Sequence, residues 1–489
     1  MSKQYYSLVF IVAACLLLSL LYCPPVDIPG GDKEVFRYGG LTIIKGAVPY
    51  RDFFDHKPPL IFFLNTTAFV FGEWGFWLID FGLVLLATLA FFRLCQRFRL
   101  PYPWLLPLLF NLMLRDFLLE VGMGMTREYT VIFGMLFFCV TMGRLRYKYF
   151  LMGLLAGLTF FMQQEQSLAL VPFLIYALLT DLQIPLIRRI IQLGLGFLVI
   201  ALPLLLYFAL HHSLEYLWKD AFLFNFQWYT AQKKSMPDHF RTIKEMLDRI
   251  NYEVPFMIAV TLGTASLLLK HKKKGLLIAA LIGVSLSLSQ EFMGRRAENH
   301  AFEHYFMPLS ASICILLFVV FAFTEEAALL DRRVRPIYGF LLCGSLGYTA
   351  LQHGTHLKLV KDDSDISSPV YGYLREHTIG DYQLFLMGDS YFIHAFNEKR
   401  ILSPSPWIYQ HFWKWYPKWD PDQALLKGIG EDILKHRTTY IVVDDADVAR
   451  FINPANSGWW FAFLRDHYNP ISIAGPPTSI SLWKIKDIP

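Results

Sequence analysis

Apolar runs about as long as a bilayer is thick recur along most of this chain, and any fold must first dispose of them. A spanning helix needs about twenty mostly apolar residues. The candidate runs fall at approximately 6–23, 75–95, 102–119, 129–146, 150–164, 166–181, 190–210, 254–270, 275–290, 306–323 and 336–353. Every second short loop between them is basic, with Arg93/Arg97/Arg99, Arg144/Arg146/Lys148, Arg188/Arg189, Lys272/Lys273/Lys274 and Arg332/Arg333/Arg335. Because short cytoplasmic loops carry the excess of Lys and Arg, these loops and the N-terminus are expected in the cytoplasm and, after an odd number of spans, the C-terminal segment outside. The loops at 24–74 and 211–253 also hold Lys and Arg, but they are long, and the rule weighs short loops most. The expected architecture is an α-helical polytopic membrane protein with about eleven transmembrane helices.

Composition supports this against the prior from length. A chain of 489 residues suggests about three soluble domains, but 55% of it is hydrophobic and only 17% charged, against roughly 25% charged in ordinary globular chains. Mean hydropathy is +0.38 and aromatics reach 16%. Disordered, collagen-like and disulfide-scaffold classes are excluded, and a soluble multidomain enzyme does not fit. The net charge of +5 gives no support to a nucleic-acid partner. Six cysteines (15, 23, 95, 139, 314, 343) lie in or beside apolar runs without a CxxC pair, so neither a disulfide framework nor a zinc site is indicated. Lys3, an apolar run and Cys23 resemble a lipoprotein signal, but Tyr22 is bulky where cleavage needs a small residue; residues 7–23 read as a retained helix.

After about residue 354 the character changes. Residues 366–378 and 420–436 look helical, while 383–387, 439–443 and 480–485 are short apolar stretches rich in strand formers. Two domains are expected: a transmembrane domain over 1–354, with a large first external loop at 24–74, and a small extracytoplasmic α/β domain over 355–489.

The outer face carries the chemistry. The first external loop crowds Asp32, Glu34, Arg37, Lys45, Arg51, Asp52, Asp55, His56 and Lys57 into otherwise hydrophobic sequence. The segment between Lys33 and Lys45 has helical spacing. Pro58-Pro59 can open another helix, and Leu60–Phe71 then lies along the interface with its aromatics at headgroup depth. Three more external positions are polar: RDFLLEVGMGMTREYT, QQEQS and QEFMGRRAENHAFEHYFMP. Chemistry on a phosphate-linked lipid needs cations for the phosphate, for which Lys57, Arg127, Arg295 and Arg296 are candidates. It also needs a carboxylate to take a proton from an attacking hydroxyl, for which Asp32, Asp55 and Glu128 are candidates. Singly, each is an ordinary solvated residue at a helix end; together they converge on one face.

An early acid followed by G-x-P-Y-R-D-F-F-D-H-K-P-P-L at Gly46–Leu60 resembles the bacterial members of the dolichyl-phosphate-mannose protein mannosyltransferase superfamily, the GT-C glycosyltransferases, among whose relatives is the lipid A aminoarabinose transferase. T-R-E-Y at Thr126–Tyr129 resembles the group's acid opening span four. H-Y-F-M-P-L at His304–Leu309 resembles its motif entering a late span, and the tail with L-F-L-M-G-D-S at Leu384–Ser390 is similar to the group's external domain.

The resemblance implies a GT-C-like fold and an inverting transfer of a sugar from a polyprenyl-phosphate donor to an extracytoplasmic acceptor, whether glycolipid, polysaccharide or protein, at the bacterial inner membrane. It implies Asp32 as the loop-one carboxylate, Lys57 as the phosphate-binding lysine and Glu128 as the second acid. In the group the loop often has Asp-Glu, or Asp followed three residues later by a basic residue, whereas Asp32 is followed by Lys33 and Glu34, so which carboxylate acts as base stays open among Asp32, Glu34 and Asp55. A Phe-Lys-Gln of many relatives is replaced by Phe161-Met162-Gln163-Gln164, which removes one expected cation. His56, Asp55, Arg51, Arg127, Arg295, Arg296, His304 and Tyr305 join Lys57 as expected substrate-binding residues. No cofactor follows from the sequence; the paired carboxylates permit a divalent metal without demanding one.

Two other classes compete. A transporter or flippase of lipid-linked intermediates calls for ionisable residues near the midplane of broken, paired helices, whereas the spans here read as nearly free of internal charge. A non-catalytic membrane scaffold retains the same pattern as an enzyme. A hydrolase nucleophile at Met387–Ser390 has no partnered His and Asp pattern after it. The topology is testable: reporter fusions at residue 489 should be active only outside the cytoplasm and fusions in the Lys272–Lys274 loop only inside, and cytoplasmic activity at residue 489 overturns the assignment.

Overall fold

The computed structural model describes residues 3–24, 31–121, 123–228, 235–249, 252–268, 272–289, 303–323, 343–344, 347–348, 350–351, 369–388, 393–408, 410–473 and 480–486. Helices stand at ten of the eleven expected spans. They comprise α1 (Lys3–Leu20), α4 (Glu73–Arg97), α5 (Leu105–Val121), α6 (Thr126–Met142), α7 (Lys148–Met162), α8 (Val171–Thr180), α9 (Leu186–Leu210), and the helices Glu253–Leu268, Lys274–Leu288 and Leu309–Phe323. The eleventh run, 336–353, lies largely outside the described residues.

Full spanning length is rarer than the sequence led us to expect. Among the described residues three helices are long and apolar enough to cross a membrane, Glu73–Arg97, Leu186–Leu210 and His304–Phe323, and the other apolar helices, such as Tyr6–Leu20 and Lys148–Met162, are shorter. The local cause is visible at two positions. The run from 102 loses its start to Pro101-Tyr102-Pro103, so α5 begins at Leu105. The run from 166 is divided into a 3₁₀ turn at Gln164–Leu170 and a ten-residue α8 with Pro172 in its first turn.

The Leu309–Phe323 helix is buried on nearly every face and packs against α5, α6 and Lys274–Leu288. α7 and α9 form a close pair, because glycines let the backbones meet: a Cβ on Gly153 would lie 2.0 Å from the Leu193 carbonyl oxygen and one on Gly196 2.0 Å from that of Phe150. Such small-residue contacts are what hold helices together where apolar lipid gives no hydrophobic drive.

The segment between α1 and α4 forms the two helices that its sequence predicts. Helix α2 (Asp32–Ile44) and helix α3 (Leu60–Phe69), which follows Pro59, pack face to face. Gly40 admits the contact, since its Cβ would stand 2.8 Å from the Thr66 backbone nitrogen.

The C-terminal part holds a four-stranded sheet ordered β1-β2-β4-β3, with β1 (Leu384–Met387), β2 (Tyr440–Asp444), β3 (Tyr468–Ile471) and β4 (Ile480–Ile485). β1 runs parallel to β2 with Leu384 opposite Tyr440, β2 is antiparallel to β4, and β4 to β3. Both β1 and the Tyr440–Val443 stretch of β2 are wholly buried, as a covered parallel pair requires. The three expected strands and the helices Pro369–Glu376 and Ala424–Lys435 are present. The edge strand β3 was not expected, since Pro470 reads against a strand and is tolerated only at an edge.

Replacing Gly196 with Val should force α7 and α9 apart. Overpacking costs about 1–3 kcal/mol, so the thermal midpoint of the purified protein should fall by several degrees, while Gly194→Val, with open space at its Cβ, should leave it nearly unchanged.

Candidate functional site

The acid-rich loop is built by two local devices. Gly31, at φ 66, turns the chain into α2, leaving Asp32 exposed at its first position and Glu34 only 2% exposed. Farther on, the Asp55 carboxylate (Oδ1) accepts the Lys57 backbone N–H at 2.9 Å, an Asx-type turn that feeds into Pro58-Pro59. Tyr50 holds the same turn by donating its hydroxyl to the Lys57 carbonyl at 2.6 Å.

Asp55 is 1% exposed, and its Oδ2 has no hydrogen-bond partner. Burial pushes its carboxyl up to about 7, against the pull of the Lys57 backbone N–H and charge; the nearby Asp32 charge adds to the rise. His56 lies beside it, Nδ1 3.5 Å from Oδ1. Burial, with the charges of Lys57 and Arg127, holds this imidazole well below its ordinary range and therefore neutral. Its carbonyl accepts from Asn225 at 2.7 Å, which docks the segment after α9 onto the turn.

Arg127 enters from the start of α6, 5% exposed. Its guanidinium lies 3.9 Å above the Tyr305 ring and 3.8 Å from Glu165, and its Nε is buried without a partner. His304 meets Tyr305 edge to face at 4.9 Å, and the Arg127 and Lys57 charges both act on its ring. The fold thus brings Asp32, Asp55, His56, Lys57, Arg127, His304 and Tyr305 into one neighbourhood.

Other predicted residues go elsewhere. Arg51 is engaged by Asp52 at 2.7 Å and reaches the His211 carbonyl at 3.3 Å. Arg295 and Arg296 lie outside the described residues, as do Asp389 and Ser390 of the M-G-D-S stretch. Glu128 is fully buried; it accepts the Gly124 N–H at 2.9 Å and faces Arg115 at 3.4 Å, which pairs with Asp80 at 2.6 Å. The spans are therefore not free of internal charge: Asp80 and Arg115 form a buried pair inside α4 and α5. Two lone opposite charges within apolar runs were the available signal.

Both carboxylate oxygens of Glu34 are engaged. Arg37 donates to its Oε1 at 2.9 Å and Asn397, far along the chain, to its Oε2 at 2.7 Å. Arg37 also stands 4.6 Å over the Phe76 ring. It lines two adjoining cavities, the larger of about 120 Å³, bounded by Tyr22, Pro24, Arg37, Glu73, Phe76, Trp77 and Met123. The smaller is bounded by Lys33, Arg37, Asn65, Phe76, Met123, Gly124 and Tyr129. We expected Asp32, Lys57, Glu128 and His304 to line such a cavity; here it is the Lys33/Arg37 face of α2 and the neighbours of Glu128 that do so. Among the described residues no group of three or more His, Cys, Asp or Glu side chains converges as a metal-ligand set.

No family model matches the sequence, and no curated protein is significantly similar to it. Solved structures are similar along the whole length. ArnT from Cupriavidus metallidurans bound to undecaprenyl phosphate aligns with TM-score 0.59 and 12% identity, over 99% of this chain and 98% of that one. The same protein in the apo state aligns with TM-score 0.62 and 10% identity over the same shares. The fold is that of ArnT, and the resemblance to the GT-C group read from the loop motifs is matched at the level of architecture.

The raised Asp55 carboxyl makes stability depend on pH. Because its folded-state value lies above the ordinary carboxyl value of about 4, the folded protein keeps a proton that the unfolded chain releases, and stability falls as pH rises from about 4 to 7. Asp55→Asn removes this decline while keeping an acceptor for the Lys57 N–H. Its unfolding midpoint should equal that of the parent near pH 4 and exceed it at pH 8; equal midpoints at both would show that Asp55 ionises as readily folded as unfolded.

Proposed function

We propose that this protein is a membrane glycosyltransferase, transferring a sugar with inversion from a polyprenyl-phosphate donor to an acceptor at the external face. The observation that carries the reading is the full-length likeness to a protein crystallised with undecaprenyl phosphate, in a chain whose acids and cations gather at one face. Lys57 and Arg127 hold the donor phosphate, Lys57 as a point charge next to a helix start and Arg127 as a planar donor stacked on Tyr305. His56, held neutral, adds no charge but closes the turn that carries Lys57.

Glu34 is the general base. The acid-to-cation spacing of three residues that Asp32 lacks is met by Glu34 and Arg37, and their contact at 2.9 Å supports assigning the role to Glu34. Asp32 stands exposed at the first position of α2, without such a partner three residues on. A carboxylate offers about four lone-pair sites, so two remain after Arg37 and Asn397 are satisfied. One of these takes the proton of the acceptor hydroxyl; the oxygen attacks the anomeric carbon, and the carbon–phosphate-oxygen bond breaks with its electrons leaving on the lipid phosphate, next to the cations. The acceptor is a glycolipid, polysaccharide or protein of the envelope. The transport reading gains the intramembrane Asp80–Arg115 pair, but those charges are closed on each other rather than open to a path.

Purified protein incubated with radiolabelled polyprenyl-phosphate sugars should release lipid phosphate. Lys57→Ala should weaken donor use about tenfold, the size of one charge-assisted hydrogen bond. Glu34→Gln should lower turnover about 10²–10⁴-fold with donor affinity kept. Absence of release with every donor sugar class removes the transferase reading; Asp32→Asn, rather than Glu34→Gln, abolishing turnover returns the base to Asp32.

A further inference from the structure

The acid assigned as base is aimed from both parts of the molecule. Arg37, on the same helix, takes one oxygen of Glu34. The other is taken by Asn397, on the short helix His394–Lys399 that follows β1 in the C-terminal part. Its Nδ2 donates to Glu34 Oε2 at 2.7 Å and to the Glu34 carbonyl at 2.9 Å. Both partners are acceptors, so the amide orientation is set by the network and an Asn flipped by 180° would place oxygen against oxygen. Asn397 is 6% exposed, and its Oδ1 is buried without a hydrogen-bond partner. Around this contact Tyr38 accepts the Ser403 N–H at 2.8 Å and meets Phe396 at 5.3 Å, and Lys45 pairs with Asp381 at 2.6 Å.

We propose that Asn397 is a positioning residue for Glu34, so that the catalytic acid of the membrane part is complete only when the C-terminal part is docked on α2. Two bonds from one amide, to the side chain and to the backbone of the same residue, fix the Glu34 rotamer relative to its own main chain, and Arg37 fixes the carboxylate plane. Without Asn397 the carboxylate swings about its last torsion, and the proton-accepting lone pair is no longer held toward the acceptor. The inference rests on the reading of Glu34 as base.

The test is a double-mutant cycle on the full-length protein, with transfer from a radiolabelled polyprenyl-phosphate sugar as the readout. Asn397→Ala should lower kcat about tenfold or more and leave the donor KM within about twofold, because the residue acts on the base and not on the phosphate. In a Glu34→Gln background Asn397→Ala should have no further effect on the residual rate. Lys45→Ala, which breaks another of the docking bonds, the exposed ion pair to Asp381, should keep parental kcat and thermal midpoint. An unchanged kcat in Asn397→Ala overturns the proposal. The same factor lost in both backgrounds, or an equal loss in Lys45→Ala, overturns it too, since docking rather than aim is then at stake. If Glu34→Gln itself keeps full turnover, the reading of Glu34 falls and the proposal with it, whereas loss of turnover in Glu34→Gln beside a neutral Asn397→Ala removes only the positioning role.

Discussion

Arg115 is the residue around which the helical part has to be arranged. It is fully buried, and a guanidinium in apolar surroundings is tolerable only with its charge compensated at contact. Asp80 supplies one partner from α4 and Glu128 another from α6, while the Arg115 carbonyl accepts the hydroxyl of Tyr22, just beyond α1. Removing one member of such a group costs about 3–5 kcal/mol, so the group holds α4, α5 and α6 in a single relative height. That height puts Thr126, Arg127 and Glu128 at the start of α6, with Glu128 turned inward to the triad and Arg127 outward to Tyr305.

The acid-rich loop is assembled on this frame from segments that have little structure of their own. The turn at Asp55–Lys57 is held by one carboxylate and one tyrosine hydroxyl, then covered by Asn225 from the second loop. Helix α2 is pressed between α3, which approaches through Gly39 and Gly40, and the C-terminal part, which reaches it through Ser403 and Asn397. Phe54 anchors the junction, stacking on Trp419 at 5.5 Å and packing on Phe412 at 4.7 Å, and its N–H donates to the Pro406 carbonyl at 3.1 Å. Burial in this turn acts on two neighbouring groups at once: it raises the Asp55 carboxyl and holds the His56 imidazole neutral.

How much of this was legible in the sequence differs by the range of the interaction. Hydropathy and the 3.6-residue period are local properties, so ten of the expected apolar helices, α2, α3 after Pro58-Pro59, and three of the four strands were readable from neighbouring residues. The crowding of acids and cations into the polar segments between apolar runs was readable as well, because charged residues are costly inside apolar spans. Contacts across long separations were not. Glu34 and Asn397 are 363 residues apart, and nothing in the residues near either marks the other. By composition alone Asp32 and Glu34 were equivalent acids on one turn; the docking of the C-terminal part buries one and leaves the other in solvent. Arg115 and Asp80 were visible as isolated charges in apolar runs, but only helix packing decides that they meet each other and Glu128. Sequence thus determined which segments are apolar helices and where the charges collect, since both follow from local transfer free energies. Tertiary structure decided which acid is enclosed, which charges are partnered and which part of the chain reaches Glu34, since burial and pairing depend on neighbours that only folding supplies.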